Sequence, residues 1–260
     1  MRKNRILQLL ADNRQATGRR VELVRAQGAD EATLYLYDAI VSEALMEEWG
    51  YGVAAQNLVP QIRELDVGTI HLRINSPGGD VFAAQAIAQA LREHRAHVVA
   101  HVDGVAASAA SVIMVAADEA VIAPGGFVMI HNAWTFAMGN RNDLVEIAGM
   151  LEQVDDSIAA QYAGKAGGEK KKWADFMDAE TWFAAQAAVD EGLVNAIADG
   201  AKANAAAWNL RAYSKPPADQ LQARQQDLQR QAQQQAQAQA SRDAHAAASR
   251  RLQLIERAAA

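Results

Sequence analysis

The sequence predicts an α/β fold with crossover connections. Short segments rich in strand formers, such as Ala32-Thr33-Leu34-Tyr35-Leu36-Tyr37 and Thr69-Ile70-His71-Leu72-Arg73-Ile74, alternate with stretches whose apolar residues recur at helical spacing. Strand–helix alternation of this kind is the pattern of a sheet covered by helices. The chain has 260 residues and 50% hydrophobic content, enough for one sizeable domain with some chain left over.

Residues 1–30 are polar and charged with no clean period, and are expected to form a flexible or processed arm. The domain is expected over residues 31–200. Its first strand is 32–37. A helix is predicted from about 53 to 65, with Val53, Leu58, Ile62 and Leu65 on one face. The strand at 69–74 runs into the turn Pro77-Gly78-Gly79. Asp80 or a neighbour caps a helix over 81–93, with Phe82, Ala86, Ile87, Ala90 and Leu91 at its apolar positions. A strand at 97–102, a helix at 107–117 and two short strands at 120–122 and 127–130 follow. After a loop at 134–140, a long amphipathic helix covers 143–162 and is broken by Gly164 and Gly167-Gly168. Helices at about 169–177 and 184–191 precede Gly192-Leu193-Val194, which closes the domain.

Residues 201–217, ending in Lys215-Pro216-Pro217, carry the composition of a linker. Residues 218–260 form a low-complexity tail, with Gln220 to Ala240 almost wholly Gln, Ala and Arg. Such a segment cannot bury an apolar core, although its residues favour an exposed helix. Leu221 and Leu228 lie one heptad apart, but Gln235 breaks the series.

Bulk chemistry narrows the function. The formal net charge of −6 lacks the basic footprint of a nucleic-acid binder, and Lys170-Lys171-Lys172 reads as a solvated face. Without cysteine there is no disulfide scaffold, no thiolate metal site and no cysteine nucleophile. His94 and His97 straddle a helix end and a strand start with no carboxylate motif joining them, so no metal is expected. The start MRKNRILQLLADNRQ holds too short an apolar stretch for an export signal, and no run of about 18 apolar residues exists. A cytoplasmic protein is expected.

Three segments carry chemistry. A serine hydroxyl is a poor nucleophile unless a base and a third, orienting group stand beside it. Ser108 follows Gly104-Val105-Ala106-Ala107, where a helix is about to begin. Small neighbours let a substrate backbone approach, and the N–H of Ala109 is free to hold an oxyanion. Tight helix packing is the plain alternative for so Ala-rich a run. His131 ends the apolar strand Val128-Met129-Ile130 ahead of a polar loop, where an imidazole can face a cleft and move protons near neutral pH. Gly78-Gly79 is either an ordinary strand-to-helix turn or a pair of bare amides facing a ligand. Asp175, Asp178 and Glu180 are all candidates for the acid that would orient the imidazole.

The segments Ile74 to Gly79, Gly104 to Ala110 with Ser108, and Val128 to His131 together resemble the Clp protease proteolytic subunit (ClpP) family. Gly104 to Ile113 and Met177-Asp178-Ala179-Glu180-Thr181-Trp182-Phe183 are similar to the ClpP-like head maturation proteases of tailed phages and prophages. The resemblance covers residues 30–200. It implies a ClpP/crotonase-like spiral of ββα units with a handle helix, the one beginning near Asp143. It implies Ser108 as nucleophile, His131 as general base, and the N–H groups of Gly79 and Ala109 as the oxyanion hole. Glu180 falls where the family has its triad Asp, with Asp178 as second choice. It also implies a serine endopeptidase without metal or cofactor. Such an enzyme forms a ring-shaped homo-oligomer and processes phage capsid or scaffold proteins inside an immature capsid. The arm does not resemble the family's axial segment, so no unfoldase ATPase is expected as partner, nor are nucleic acid or membrane. Two rival readings are a crotonase-type acyl-CoA enzyme, which has no need of a Ser–His pair, and an inactive assembly or scaffold protein. A Ser–Lys peptidase is disfavoured because no lysine occurs between Lys3 and Lys165.

Overall fold

The computed structural model describes residues 5–14, 16, 20–26, 28–199 and 208–217. The Gln/Ala-rich tail, with Leu221 and Leu228, lies outside the described residues. The chain divides into two compact units at Pro216/Pro217, and the sheet belongs to the first.

The organising feature is a mostly parallel sheet whose strands run in the order β1 (Arg20–Val24), β2 (Glu31–Tyr37), β5 (Thr69–Ser76), β6 (His97–Ala107), β7 (Glu119–Ile122) and β10 (Ala196–Ile197). Only β1 on this path is antiparallel to its neighbour. Strand β6 serves two partners in turn. Its Val99–Val102 half pairs with β7, and its Val105–Ala107 end pairs with β8 (Phe127–Ile130). The other edge of β8 takes β9 (Thr181–Ala184) antiparallel. A separate parallel pair joins β3 (Ile40–Val41) to β4 (Val53–Ala54).

Three helices start where a polar side chain satisfies first-turn amides. The Asp80 carboxylate accepts the Ala83 N–H at 2.8 Å to open α4 (Val81–Glu93). Ser42 accepts from Leu45 ahead of α2 (Glu43–Trp49), and Gly50 in the left-handed region ends it. Asn140 and Asp143 form a reciprocal capping box at α6 (Arg141–Ala166). Helices α3 (Ala55–Arg63), α4 and α5 (Ala109–Met114) bury Leu58, Ile62, Ile87, Leu91 and Ile113 against Leu34, Leu72, Ile74 and Val102 of the sheet. Trp173 and Met177 of α7 (Lys170–Asp178) extend this core, which α8 (Ala185–Asp190) completes through Ala188. The opposite face of β2, β5 and β6 is polar. Tyr37 Oη and Arg73 Nε donate to Asp103 Oδ2 at 2.5 and 2.8 Å, and His71 Nδ1 lies 3.1 Å from His101 Nε2. Burial, then the Arg73 charge, hold the His101 imidazole below its ordinary pKa. These histidines belong to the sheet face.

The structure corrects the expected arm and linker. Residues 1–30 contain α1 (Arg5–Asp12) and strand β1. Leu9 and Leu10 are fully buried, and Leu10 packs with Ala39, Val41 and Ala54. The charged residues around them masked a two-leucine anchor too short to show a period. Residues 208–216 are likewise part of the first unit, with Leu210, Ala212 and Tyr213 buried. Smaller differences follow from tertiary pairing. Helix α5 begins at 109 because β6 runs on to Ala107, and α6 passes through Gly164 to Ala166. Strand β9 occupies a stretch read as the space between two helices.

If the N-terminal segment is part of the fold, Leu10→Ala opens a cavity in it. The expected cost is about 2–5 kcal/mol of unfolding free energy, read from a urea melt of the full chain.

Candidate functional site

Where β6 ends, the backbone makes a sharp turn at Ser108. Its φ of 54° and ψ of −124° lie where glycine is normal and a side chain is strained. A residue held there costs on the order of 1–3 kcal/mol and needs surroundings that impose it. They are visible. The Ser108 N–H donates to Met129 O at 2.8 Å, continuing the β6–β8 ladder by one residue. Its carbonyl accepts the Ser111 N–H at 2.9 Å and the Ser111 hydroxyl at 2.6 Å. The Ser111 hydroxyl also meets Tyr162 Oη at 2.7 Å, and burial pushes that phenol's pKa up. Helix α6 therefore holds the turn from behind.

The same ladder positions His131. It directly follows β8, and its Nε2 lies 2.7 Å from Ser108 Oγ. The imidazole is buried, 8% exposed. The chain beyond it is pinned by two carboxylates. Asn132 Nδ2 donates to Asp178 Oδ1 and Ala133 N to Asp155 Oδ1, both at 2.6 Å. Burial raises the Asp155 pKa, the Ala133 N–H lowers it, and nearby Asp178 raises it again.

The glycine turn closes on the other side. Ile40 N donates to Gly78 O and Asp80 N to Ile40 O, each at 2.9 Å, so Gly79 makes a parallel bridge with Ile40 through its neighbours' groups. In that pattern the N–H of Gly79 itself points away from Ile40. No side chain fits here. A Cβ on Gly79, at φ 144°, would lie 1.9 Å from Ile40 O, and one on Gly78 would lie 2.8 Å from Ser108 Cβ. The turn is thus glycine because it is squeezed between β3 and Ser108. Ala109 is the first residue of α5, so its N–H is a first-turn amide. Gly79, Ser108, Ala109 and His131 line one cavity of about 340 Å³, continued by apolar Val112, Leu151, Val154 and Ile158.

The expected acids are placed less directly. Glu180 is buried and sits at φ 48°, in the left-handed turn between α7 and β9. Its Oε1 accepts the backbone N–H of Lys215 at 2.6 Å. Asp178 is engaged by Asn132, and Asp175 by Lys171 on the surface. The structure therefore brings together Ser108, His131, Gly79 and Ala109 around one cavity, while Glu180 holds the Lys215 amide.

Sequence reasoning missed Tyr213. Its ring stands edge-on to His131, with centroids 5.4 Å apart and planes at 88°, and its hydroxyl donates to Pro77 O. The available signal was a cluster of Trp208, Leu210 and Tyr213 inside a stretch otherwise read as linker. Ser111 and Tyr162 were missed too, since nothing local to a 51-residue separation marks such a pair. Among the described residues no group of three or more His, Asp or Glu side chains could hold a metal ion, and no helix is long and apolar enough to cross a membrane.

The Clp protease family model matches residues 32–201, over half of the chain. The chain is similar to the ATP-dependent Clp protease proteolytic subunit 2 of Treponema denticola, 33% identical over 135 residues, which are 51% of this chain and 68% of that protein. It is also similar to the ATP-dependent Clp protease proteolytic subunit of Bacteroides fragilis, 31% identical over 131 residues, 49% of this chain and 63% of that protein. A third relative, the subunit of the same name from Deinococcus radiodurans, is 28% identical over 156 residues, 58% of this chain and 76% of that protein. Gly79, Ser108, Ala109, His131 and Glu180 all lie within the matched span, and the chain belongs to the Clp protease family.

Proposed function

We propose that the chain is a serine endopeptidase that cleaves peptide bonds through an acyl-enzyme. The observation that carries this is the 2.7 Å approach of His131 Nε2 to Ser108 Oγ, at a serine whose backbone is strained into the turn. In this reading Ser108 Oγ attacks the scissile carbonyl while His131 Nε2 takes its proton. The N–H groups of Gly79 and Ala109 hold the oxyanion, and the imidazolium then protonates the departing amine. Water, activated by the same imidazole, releases the acyl group. The adjoining apolar cavity supports a substrate side chain of aliphatic or aromatic type next to the cleaved bond.

Glu180 is the proposed acid. Its Oε1 holds the Lys215 amide, and in this role the carboxylate would accept a hydrogen bond from His131 Nδ1–H, which orients the imidazole and stabilises its charged form. The finer substrate reading is processing of capsid or scaffold proteins during phage head maturation. It is supported by the likeness of Gly104 to Ile113 and Met177 to Phe183 to those enzymes. Action without an unfoldase ATPase is supported by α1, whose Leu9 and Leu10 are committed to packing inside the fold. Self-association through α6 is supported by Leu144, Val145 and the preceding Met138, all exposed apolar side chains in the single chain.

Three outcomes test these proposals. Ser108→Ala abolishes both fluorophosphonate labelling and peptide cleavage in a folded chain, and equal turnover by that variant would refute the hydrolase. Glu180→Gln lowers kcat by about 10²- to 10⁴-fold whereas Asp178→Asn stays within about three-fold, as steady-state peptide hydrolysis will show. Val145→Glu shifts the particle to a smaller mass in light scattering, and an unchanged mass removes α6 from the interface.

A further inference from the structure

The segment 208–216 touches the site at three points, and it lies beyond the span that the family model matches. Trp208 Nε1 donates to Asn75 O at 3.0 Å, at the end of β5. Tyr213 Oη donates to Pro77 O, in the turn that leads to Gly79. Lys215 N donates to Glu180 Oε1, and its ammonium to Ala179 O at 2.5 Å. The start of the segment is locked in place by Asn13, whose side chain bonds both the N–H and the carbonyl of Asn209, at 2.7 and 2.9 Å. The segment is therefore a strap fixed at both ends, with the Tyr213 ring in the middle, 5% exposed and at right angles to His131.

A general base must keep one ring plane and one ring position if its nitrogen is to stay on the nucleophile. In a serine hydrolase a carboxylate on the far nitrogen does much of this. Here an aromatic ring also abuts the imidazole, and the Glu180 carboxylate ties down the strap that carries that ring. Edge-to-face ring contacts are directional and worth about 0.5–1.5 kcal/mol beyond buried area. Trp182 backs the Tyr213 ring in turn, with centroids 5.9 Å apart at 76°. A tyrosine so braced cannot tilt without disturbing Pro77, Trp182 and His131 together.

We infer that Tyr213 is a positioning residue: its ring holds the His131 imidazole against Ser108, and the 208–216 strap that carries it is a working part of the site. This rests on the hydrolase reading of Ser108 and His131. Tyr213 acts through His131, so its removal falls on turnover more than on KM, although its ring also lines the cavity.

The test uses full-length chains with a fluorogenic peptide. Tyr213→Leu keeps buried bulk but loses the ring, and kcat is expected to fall about ten- to a hundred-fold with KM within about three-fold. Tyr213→Phe keeps the ring, and kcat is expected to return to within about three-fold of wild type. Unchanged kcat in the leucine variant, a change in KM alone, or a phenylalanine variant as impaired as the leucine one overturns the inference. Should the leucine chain unfold, the His131 ring protons decide by NMR. Ring-current-shifted signals common to wild type and Tyr213→Phe support the contact, and unshifted signals overturn it. A wild-type chain that neither cleaves peptide nor takes the fluorophosphonate, matching Ser108→Ala, defeats the hydrolase reading instead, and the NMR comparison then settles the contact alone.

Discussion

One ladder of parallel hydrogen bonds sets the geometry on which the site depends. Ala107 pairs with Met129, and the Ser108 amide adds a last bond to Met129 O. Neighbouring strands are held about 4.7–4.9 Å apart, so residues just past the ends of β6 and β8 emerge side by side. Ser108 follows β6 by one residue and His131 follows β8 by one. A slip of one residue in this register would turn one of the two side chains to the other face. The register is held by burial, because all four residues of β8 and the last residues of β6 are inside the core.

The strain at Ser108 is a consequence of the same arrangement. Strand β6 must end while its ladder with β8 is still bonded, and α5 must begin at once so that its buried Ala109, Ala110, Val112 and Ile113 reach the core. A single residue has to reverse the chain direction. Ser111 absorbs part of the cost by bonding to the Ser108 carbonyl, and Tyr162 holds the Ser111 hydroxyl in place. Leaving such buried groups without partners would cost roughly 1–3 kcal/mol each. Structure and chemistry therefore share residues here. The hydroxyl on α5 that looks like an incidental helix serine is what lets the neighbouring serine occupy a glycine-like conformation.

Much of this was legible in the sequence, and the part that was not has a common cause. The alternation in 69–74, the Asp80 cap and the apolar run 127–130 are local signals, and they gave strands and a helix at the observed places. Ser108, His131 and Gly79 stood out because small residues, a strand-ending histidine and paired glycines are each unusual locally. Leu9-Leu10 and Tyr213 carry no local pattern. Their environments are made by residues far along the chain, such as Val41 and Ala54 for Leu10 or Pro77 and His131 for Tyr213. Charged neighbours and two prolines then made both ends look like connectors. Glu180 shows a further limit. The resemblance implies it as the acid, and the structure shows its Oε1 bonded to a backbone amide 35 residues away.

That dependence bears on what counts as the domain. The family match ends at residue 201, yet the compact unit runs to 216, and the added residues meet the machinery rather than a distant surface. Asn13 joins the strap to α1, so both segments outside the matched span hold each other as well as the site. Tyr51 Oη adds a bond to Leu10 O from the other side of α1. Cooperative packing of this kind couples the two chain segments, because loosening either removes partners that the other has buried. The compact unit therefore extends past the matched span at both ends, and the residues beyond it reach the Pro77 turn and the ring of His131.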